Sequence, residues 1–281
     1  MKLRSSHREL DLSAPVVMGV LNVTPDSFSD GGRYADAESA ITHGCHMIDA
    51  GARIVDVGGE STRPGAEAVP VDEEIRRVVP VVQGLAAEGI FVSVDTSKPE
   101  VMAAAVEAGA ALINDVRALR APGALQVAVQ SGASVCLMHM LGDPRTMQRE
   151  ADYTDVVSEV AAFLASRVSE CETAGIGRDQ IVIDPGIGFG KLLNHNVALL
   201  AALPRFTALG VPVLIGASRK SMLGKLTGRS VHERLSAGVA VATAAVLGGA
   251  KIIRTHDVEA TVDAIKVAQA LREAGYRAGE I

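Results

Sequence analysis

Strand-like and helix-like segments alternate eight times along this sequence, and that alternation constrains the fold more than any other feature. The strand-like segments are short and apolar, and most are continuous rather than alternating, as in parallel strands that are covered on both faces. They are residues 16–21, 54–57, 90–94, 111–113, 134–138, 181–183, 211–215 and 251–253. The helix-like segments are residues 35–50, 72–88, 98–107, 122–130, 153–174, 194–203, 232–247 and 258–274.

This order predicts parallel βαβ units. Eight such units in about 250 residues are typical of a single α/β domain, the (β/α)8 TIM barrel, whose active site lies at the C-terminal strand ends. The alternative, an open doubly wound sheet, would place a G-x-G-x-x-G motif after the first strand. Here Asn22-Val23-Thr24-Pro25-Asp26 follows instead. We therefore predict an N-terminal extension over 1–14, the barrel over 15–275 and a tail over 276–281.

Composition excludes several classes of function. Aromatic residues make up 3% and Trp is absent, which argues against proteins that stack nucleic-acid bases on aromatic rings. The formal charge of -6 argues against a broad contact with a phosphate backbone. The longest weakly polar stretch, residues 237–250, is shorter than the ~20 residues that a membrane helix needs. Neither a nucleic-acid nor a membrane partner is expected. Three separated cysteines and no apolar leader predict a cytoplasmic location.

Polar side chains follow nearly every predicted strand. Asp95, Asn114 and Asp184 come directly after or within apolar segments, so we expect them to be partly buried and to need partners. Two interpretations stay open. The carboxylates could accept N–H groups from an amino-pyrimidinone ring, or Asp95 and Asp184 could form structural ion pairs with Lys220 or Arg254.

Cations gather at the same predicted end of the barrel, although the chain is acidic overall. They are Arg63, Arg219, Lys220 and Arg254, with His256 close by. Asn22, Thr62 and Ser218 add neutral ligands, so a diphosphate and metal site is a reasonable hypothesis. Mg²⁺ binds few protein groups when substrate phosphates complete its shell. For Arg219 itself, a solvated or ion-paired surface position is favoured.

Two loops are too rich in polar residues, Gly and Pro to be simple connections. They span residues 23–32 and 58–71, and loops of this kind often cover a binding site. Phe28 in the first loop and Phe189 after the sixth strand would be exposed unless they cover something. His139, between two methionines, is expected to pack in the core.

Five segments resemble dihydropteroate synthases of bacterial folate biosynthesis. They are residues 22–30, 58–65, 184–191, 218–220 and 254–257, and they occur in the same order and spacing between about Pro15 and about Ala270. The resemblance implies that dihydropterin pyrophosphate condenses with para-aminobenzoate to give dihydropteroate and diphosphate. It also implies Mg²⁺ as cofactor, a homodimer and sensitivity to sulfonamides.

The resemblance also implies roles for individual residues. Those implied to hold the pterin are Asp95, Asn114, Asp184 and Lys220, with Met138 lining the ring and Arg254 stacked on it. Asn22 is implied to bind magnesium, and the diphosphate is implied to lie against Arg254, His256, Thr62 and Arg63. Para-aminobenzoate would lie against Phe28, Pro64, Phe189 and Lys220, with its carboxylate facing Ser221 at a helix start.

An SN1-like reaction fits these residue types, because cations and metal favour departure of diphosphate and carboxylates favour the pterin cation left behind. Two rivals are a methyltetrahydrofolate:corrinoid methyltransferase and a non-catalytic pterin-binding paralogue. The first has no use for the segments Ser61-Thr62-Arg63-Pro64 and Arg254-Thr255-His256-Asp257. The second would be expected to have lost Asn22, Lys220 or a loop motif, and the sequence retains them.

Overall fold

A barrel of eight parallel strands forms the centre of the molecule, which confirms the predicted fold class. The computed structural model describes residues 1–23, 33–61, 68–142 and 151–276. The barrel strands are β3 (Val16–Asn22), β4 (Ile54–Gly58), β5 (Val92–Asp95), β6 (Leu112–Asp115), β7 (Ser134–Met138), β8 (Ile181–Asp184), β9 (Leu214–Ile215) and β10 (Ile252–Thr255). Their order around the sheet is β8-β7-β6-β5-β4-β3-β10-β9, and a single bridge between Ile183 and Val213 closes it.

Helices surround the barrel. They are α1 (Arg33–Asp49), α2 (Val71–Ala87), α3 (Pro99–Glu107), α4 (Ala124–Ser131), α5 (Val156–Thr173), α6 (Leu193–Ala201), α7 (Leu203–Thr207), α8 (Ser221–Thr227), α9 (Leu235–Leu247) and α10 (Val258–Glu273). Among the described residues, none of these helices is long and apolar enough to cross a membrane.

Successive residues of each strand pack on opposite sides, as the twofold period of a strand requires. Val55 and Val57 of β4 lie in the cluster between the sheet and the helices, whereas Ile54 lies in a separate cluster inside the barrel. The inner cluster is apolar near the strand starts. Two residues further along β4 the same side carries Asp56, and Asp95 of the neighbouring β5 stands opposite Gly58. The polar end of the barrel is therefore the C-terminal strand end.

The N-terminal residues close the opposite end. β1 (Lys2–Arg4) and β2 (Glu9–Asp11) form an antiparallel hairpin. Leu3, Leu10 and Leu12 pack into the inner apolar cluster, each at most 4% exposed. The domain limits given above stay a prediction, but residues 1–14 are packed as part of the barrel.

Three predicted elements differ from the structure, and one helix was not predicted. The strand expected over 211–215 is regular only over Leu214–Ile215. The helix expected over 194–203 is interrupted at Ala202, and α7 begins there with Pro204 in its first turn, where proline is tolerated. The helix expected over 232–247 begins at Leu235 after a 3-10 turn, and α8 was not predicted at all.

Candidate active site

A network of charged and polar side chains fills the C-terminal end of the barrel. Asp56 of β4 is its centre: the carboxylate accepts from Arg254 Nε at 2.6 Å and from Asn114 Nδ2 at 3.0 Å. Arg254 also donates through Nη2 to Asp95 Oδ2 at 2.7 Å. Asp56 is fully buried and Asp95 and Asn114 nearly so. One guanidinium thus holds together side chains from three strands.

Each carboxylate of this network keeps one oxygen without a partner. Asp56 Oδ1 and Asp95 Oδ1 are buried and accept no hydrogen bond from the described part of the chain. Burial raises the pKa of Asp95, and the charge of Arg254 opposes that rise. A buried acceptor without a donor is costly, so these oxygens are suited to N–H groups of a ligand. Of the two interpretations left open, Asp95 does form an ion pair with Arg254, yet retains an oxygen for a heterocycle.

Asp184 ends β8 and lies almost fully buried on the other side of the site. It accepts from the backbone N–H of Gly186 at 2.7 Å. Burial raises its pKa to about 6, against the opposing effects of that hydrogen bond and of the charges of Lys220, Lys191 and Arg254. Asp184 is therefore mostly ionised at neutral pH, and its pKa lies only slightly below neutral pH.

A small apolar cluster lies beside these carboxylates. It contains Val116, Met138, Met140 and Phe189. The Nζ of Lys220 lies 3.8 Å from the centre of the Phe189 ring, which is within the range of a cation–π interaction. Phe189 is only 8% exposed, so this ring forms a wall of the site, together with the cation above it. A flat aromatic ligand would fit against such a wall.

The loop after β9 contacts the end of β10. Ser218 Oγ accepts from the His256 backbone N–H at 3.2 Å and lies 3.1 Å from His256 Nδ1. Arg219 is half exposed and pairs with Asp257 at 2.7 Å, which confirms the surface position favoured for it. Ser221 is exposed at the first position of α8, directly after Lys220. His139 is buried, as expected.

Asn22 ends β3 and is half-buried, opposite Gly58 in the sheet register. No group of three or more His, Cys, Asp or Glu side chains is arranged to hold a metal in residues 1–23, 33–61, 68–142 and 151–276. The amide oxygen of Asn22 is the type of group that can bind a Mg²⁺ ion whose other ligands are substrate oxygens and water. Phe28, Thr62, Arg63 and Pro64 lie outside the described residues.

Asp56 is the residue that sequence reasoning missed. It interrupts the apolar run of residues 54–57 at a position whose neighbours Val55 and Val57 face the helices. That strand period was the available signal, because a carboxylate on the inner side of a buried strand needs partners at once. Lys191, in the loop after β8, ends the segment 184–191, and the sequence gives no separate signal for its role.

Comparisons with known proteins bear on this arrangement. A family described as pterin binding enzyme matches residues 18–256. The dihydropteroate synthase of Escherichia coli is 52% identical over 271 residues, covering 96% of both chains. The chain belongs to the dihydropteroate synthase family.

Solved dihydropteroate synthases share the whole fold. The Yersinia pestis enzyme, solved with a sulfonamide drug complex, is 47% identical with a TM-score of 0.91, covering 97% of this chain and 100% of that one. The Xanthomonas albilineans enzyme, solved in complex with 7,8-dihydropteroate, is 49% identical with a TM-score of 0.88, covering 97% and 99%. Membership of the dihydropteroate synthase family confirms the resemblance drawn from the five segments, and makes this chain a transferase.

Proposed function

We propose that this chain condenses 7,8-dihydropterin-6-ylmethyl diphosphate with para-aminobenzoate, giving 7,8-dihydropteroate and diphosphate. The observation that carries the proposal is a pair of buried carboxylates, Asp95 and Asp184, at the mouth of a barrel of this family. Asn114 and the cations Arg254 and Lys220 lie near them. The Xanthomonas albilineans relative binds the product of this reaction, and the Yersinia pestis relative binds a sulfonamide drug.

The pterin would lie across the barrel mouth. Its amino and ring N–H groups would donate to the unpartnered oxygen of Asp95 and to Asp184, while Asn114, held by Asp56, offers an amide oxygen. Met138 lies in the apolar cluster that would line the ring. The positive charges of Lys220 and Arg254 would balance the negative charges of Asp95 and Asp184. Both side chains would also contact the pterin ring.

Departure of the diphosphate begins the reaction. The bond from the pterin methylene to the diphosphate oxygen breaks, and its electron pair leaves with the diphosphate. Asp95 and Asp184 favour the positive charge that spreads over the pterin. The arylamine nitrogen then attacks the methylene, and the proton that it loses goes to water. Its pKa is low, so it is already unprotonated at neutral pH and needs no strong general base.

The diphosphate needs cations that the site does not already use. Arg254 is engaged by Asp56 and Asp95. The charge of the diphosphate would therefore be matched by Arg63, a metal and His256, and Thr62 would add a neutral hydrogen bond. We infer that Asn22 holds Mg²⁺ through its amide oxygen. When bound, that ion would neutralise charge on the leaving oxygens.

Para-aminobenzoate would lie against Phe189 and Lys220, with Phe28 and Pro64 completing its site. Its carboxylate would face Ser221 and the first backbone N–H groups of α8. Sulfonamides, which resemble this substrate, would compete with it. Turnover that stays unchanged at saturating sulfonamide would contradict that part of the proposal.

We also infer a homodimer and a cytoplasmic location. α9 and α10 pack together, and both expose large apolar side chains, among them Leu235 of α9 and Val267 and Leu271 of α10, at 48%, 59% and 42%. Exposed apolar side chains on neighbouring helices favour a protein contact there. The three cysteines are free thiols, which fits a reducing compartment.

Diphosphate release tests the proposed reaction directly. We expect release to require both para-aminobenzoate and Mg²⁺, to stop with a chelator, and to match dihydropteroate formation in amount. Lys220→Met should lose most of the turnover, whereas Lys225→Met, exposed on the same α8, should retain it. Pterin binding without release would favour the non-catalytic paralogue. Release at full rate without the arylamine would indicate a hydrolase.

A further inference from the structure

Lys191 is buried in the loop after β8, only 3% exposed, and its Nζ lies within hydrogen-bond distance of three polar atoms. Its Nζ donates to the carbonyl oxygen of Phe189 at 2.9 Å and to that of His139 at 3.1 Å. It also lies 2.9 Å from His139 Nδ1. An ammonium group has three donors, so its partners match its capacity.

These partners are unusual for a buried lysine because none of them is a carboxylate. Lysine is rarely buried unless it is paired with an anion. Burial lowers the pKa of Lys191 to about 7, with Asp184 opposing that shift and Lys220 adding to it. Burial likewise lowers the pKa of His139 to about 3, so this imidazole is neutral and its Nδ1 can accept. A lysine that would be charged in water is held here, without a carboxylate partner, against a buried imidazole at a cost, which is typical of a position where geometry serves function.

The contact fixes the backbone that carries Phe189. Lys191 holds the Phe189 carbonyl, and Tyr153 Oη donates to the next carbonyl, that of Gly190, at 3.0 Å. On the preceding side, the Gly188 N–H donates to Asn196 Oδ1 at 2.6 Å. Side chains thereby fix the backbone of three consecutive residues, Gly188, Phe189 and Gly190. The ring of Phe189, the middle residue, lies beneath Lys220 Nζ.

His139 ties this loop to the neighbouring strand end. Its backbone N–H donates to the Asp184 carbonyl at 3.0 Å, and its ring packs edge-on against Phe163, with centroids 4.9 Å apart. The imidazole is therefore itself held in place. Through Lys191, the position of β7 sets the position of Phe189.

We infer that Lys191, acting with His139, is a positioning residue for the arylamine substrate. The pair sets the position of the Phe189 ring beneath Lys220, and with it the wall against which the second substrate would lie. The inference rests on the proposed function, because that function places the arylamine against this wall. The pterin-facing groups Asp95 and Asn114 are held separately, by Arg254 and Asp56.

The test is the split between the two KM values in Lys191→Met, measured at about pH 8, where Asp184 stays ionised. Methionine fills similar space but leaves three acceptors without a donor, so the loop should shift. We expect KM for para-aminobenzoate to rise at least about fivefold, and KM for the pterin diphosphate to change by less than about twofold. A merely structural lysine would not separate the two constants.

Lys251→Met is the matched control. Lys251 is half-buried and its Nζ donates to the Ser13 carbonyl at 2.8 Å, at the opposite end of the barrel. Burial lowers its pKa too. This variant should lose stability without moving either KM. Tyr153→Phe removes one bond to the same loop, so it should raise KM for the arylamine by a smaller factor and keeps the inference testable if Lys191→Met does not fold.

Equal changes in both KM values, or no change in a folded Lys191→Met variant together with none in Tyr153→Phe, would overturn the inference. Failure of the proposed function would look different. In that case the wild-type chain would form no dihydropteroate. Calorimetric titration with para-aminobenzoate beside an unreactive pterin would then compare binding by the wild type and the variant directly, and equal affinities would overturn the inference by that route as well.

Discussion

Asp184 is a carboxylate whose surroundings pull its ionisation in opposite directions. Burial raises its pKa from 3.8 to about 6, while the Gly186 N–H and nearby cations lower it. The pKa of Asp95 is raised by the same cause. Because both groups interact with Arg254, their titration belongs to the site as a whole. Ligand binding through N–H donors needs them ionised.

Affinity for an unreactive pterin should therefore fall as the pH is lowered below about 6, by about tenfold for each further pH unit. Isothermal titration between about pH 4 and pH 8 checks this. Asp184→Asn should bind weakly at every pH, with the step near pH 6 removed. An unchanged step in that variant would mean that another group controls binding.

Stability should respond to pH in the opposite sense. A raised pKa in the folded state means that the fold binds the proton more tightly than the unfolded chain does. This contribution is present below 3.8 and is lost as the pH rises through about 6. The free energy of unfolding of Asp184→Asn relative to wild type should thus rise by roughly 3 kcal/mol between about pH 4 and pH 7. Chemical denaturation of both proteins at each pH measures it.

The loop after β8 is held so tightly that one of its glycines cannot be replaced. Gly186 has a φ of +71°, and a Cβ atom there would lie 1.9 Å from the His139 carbonyl oxygen. That oxygen belongs to backbone that Lys191 also holds. The collision therefore cannot be relieved by moving a flexible side chain.

Gly186→Ala should lose several kcal/mol of stability and most of the activity, because the loop must move away from β7. Gly228→Ala provides the control, since Gly228 has a φ of +73° with nothing within 4 Å of the added Cβ. It should lose only about 1 kcal/mol, the cost of the backbone conformation alone. Comparable losses in the two variants would show that strain in φ, and not the contact with His139, decides the effect.

Most elements of the barrel could be predicted from sequence because apolar runs and helical periods are local signals. The exceptions are elements whose extent depends on hydrogen bonds with neighbouring strands or whose pattern is too short to recognise. β9 is short because the regular ladder to β10 is interrupted at Val213, whose carbonyl accepts from the N–H groups of both Lys251 and Ile252. α8 has only seven residues, too few for a periodic pattern to stand out.

The candidate site could also be predicted in part. Residues that end strands, such as Asp95 and Asp184, could be predicted, since topology alone brings strand ends together. The side-chain contacts between distant residues could not be predicted. Lys191 and His139 are 52 positions apart, and Asp56 and Arg254 are 198 apart, so the local sequence of one residue does not indicate its partner. Roles toward substrate, including those of Phe28, Thr62, Arg63 and Pro64, remain predictions.

In the whole molecule, the two ends of the barrel have different roles. The N-terminal hairpin closes the lower end, where the barrel strands begin, and Arg8 donates to the carbonyls of Gly89 and Ala86 at 2.7 and 2.8 Å, at the end of α2. The upper end, where the strands finish, carries the charged network. The exposed apolar side chains of α9 and α10 are the ones proposed for dimerisation, and Leu235 among them lies near Ser218 at the upper end.

Leu235→Glu should convert a dimer to a monomer without unfolding it. The side chain is 48% exposed at the first position of α9, where a carboxylate stabilises the helix. Val129→Glu, 37% exposed on α4, introduces the same charge elsewhere and should remain dimeric. Analytical ultracentrifugation at about 10 µM decides it. A wild-type monomer would remove the proposal, and so would a Leu235→Glu variant that still dimerises.

The joint between β8 and β9 is closed by one bridge, Ile183 to Val213, whereas the other neighbouring barrel strands share longer ladders. Hydrogen exchange in a native barrel is fastest where the fewest bonds must open. Asp184 directly follows Ile183 on one side of this joint, and on the other side β9 leads into the loop that carries Lys220. A ligand that contacts both side chains would therefore link the two sides of the joint, and its binding would be recorded as slower exchange of the Ile183 amide, which donates to the Pro212 carbonyl across the joint.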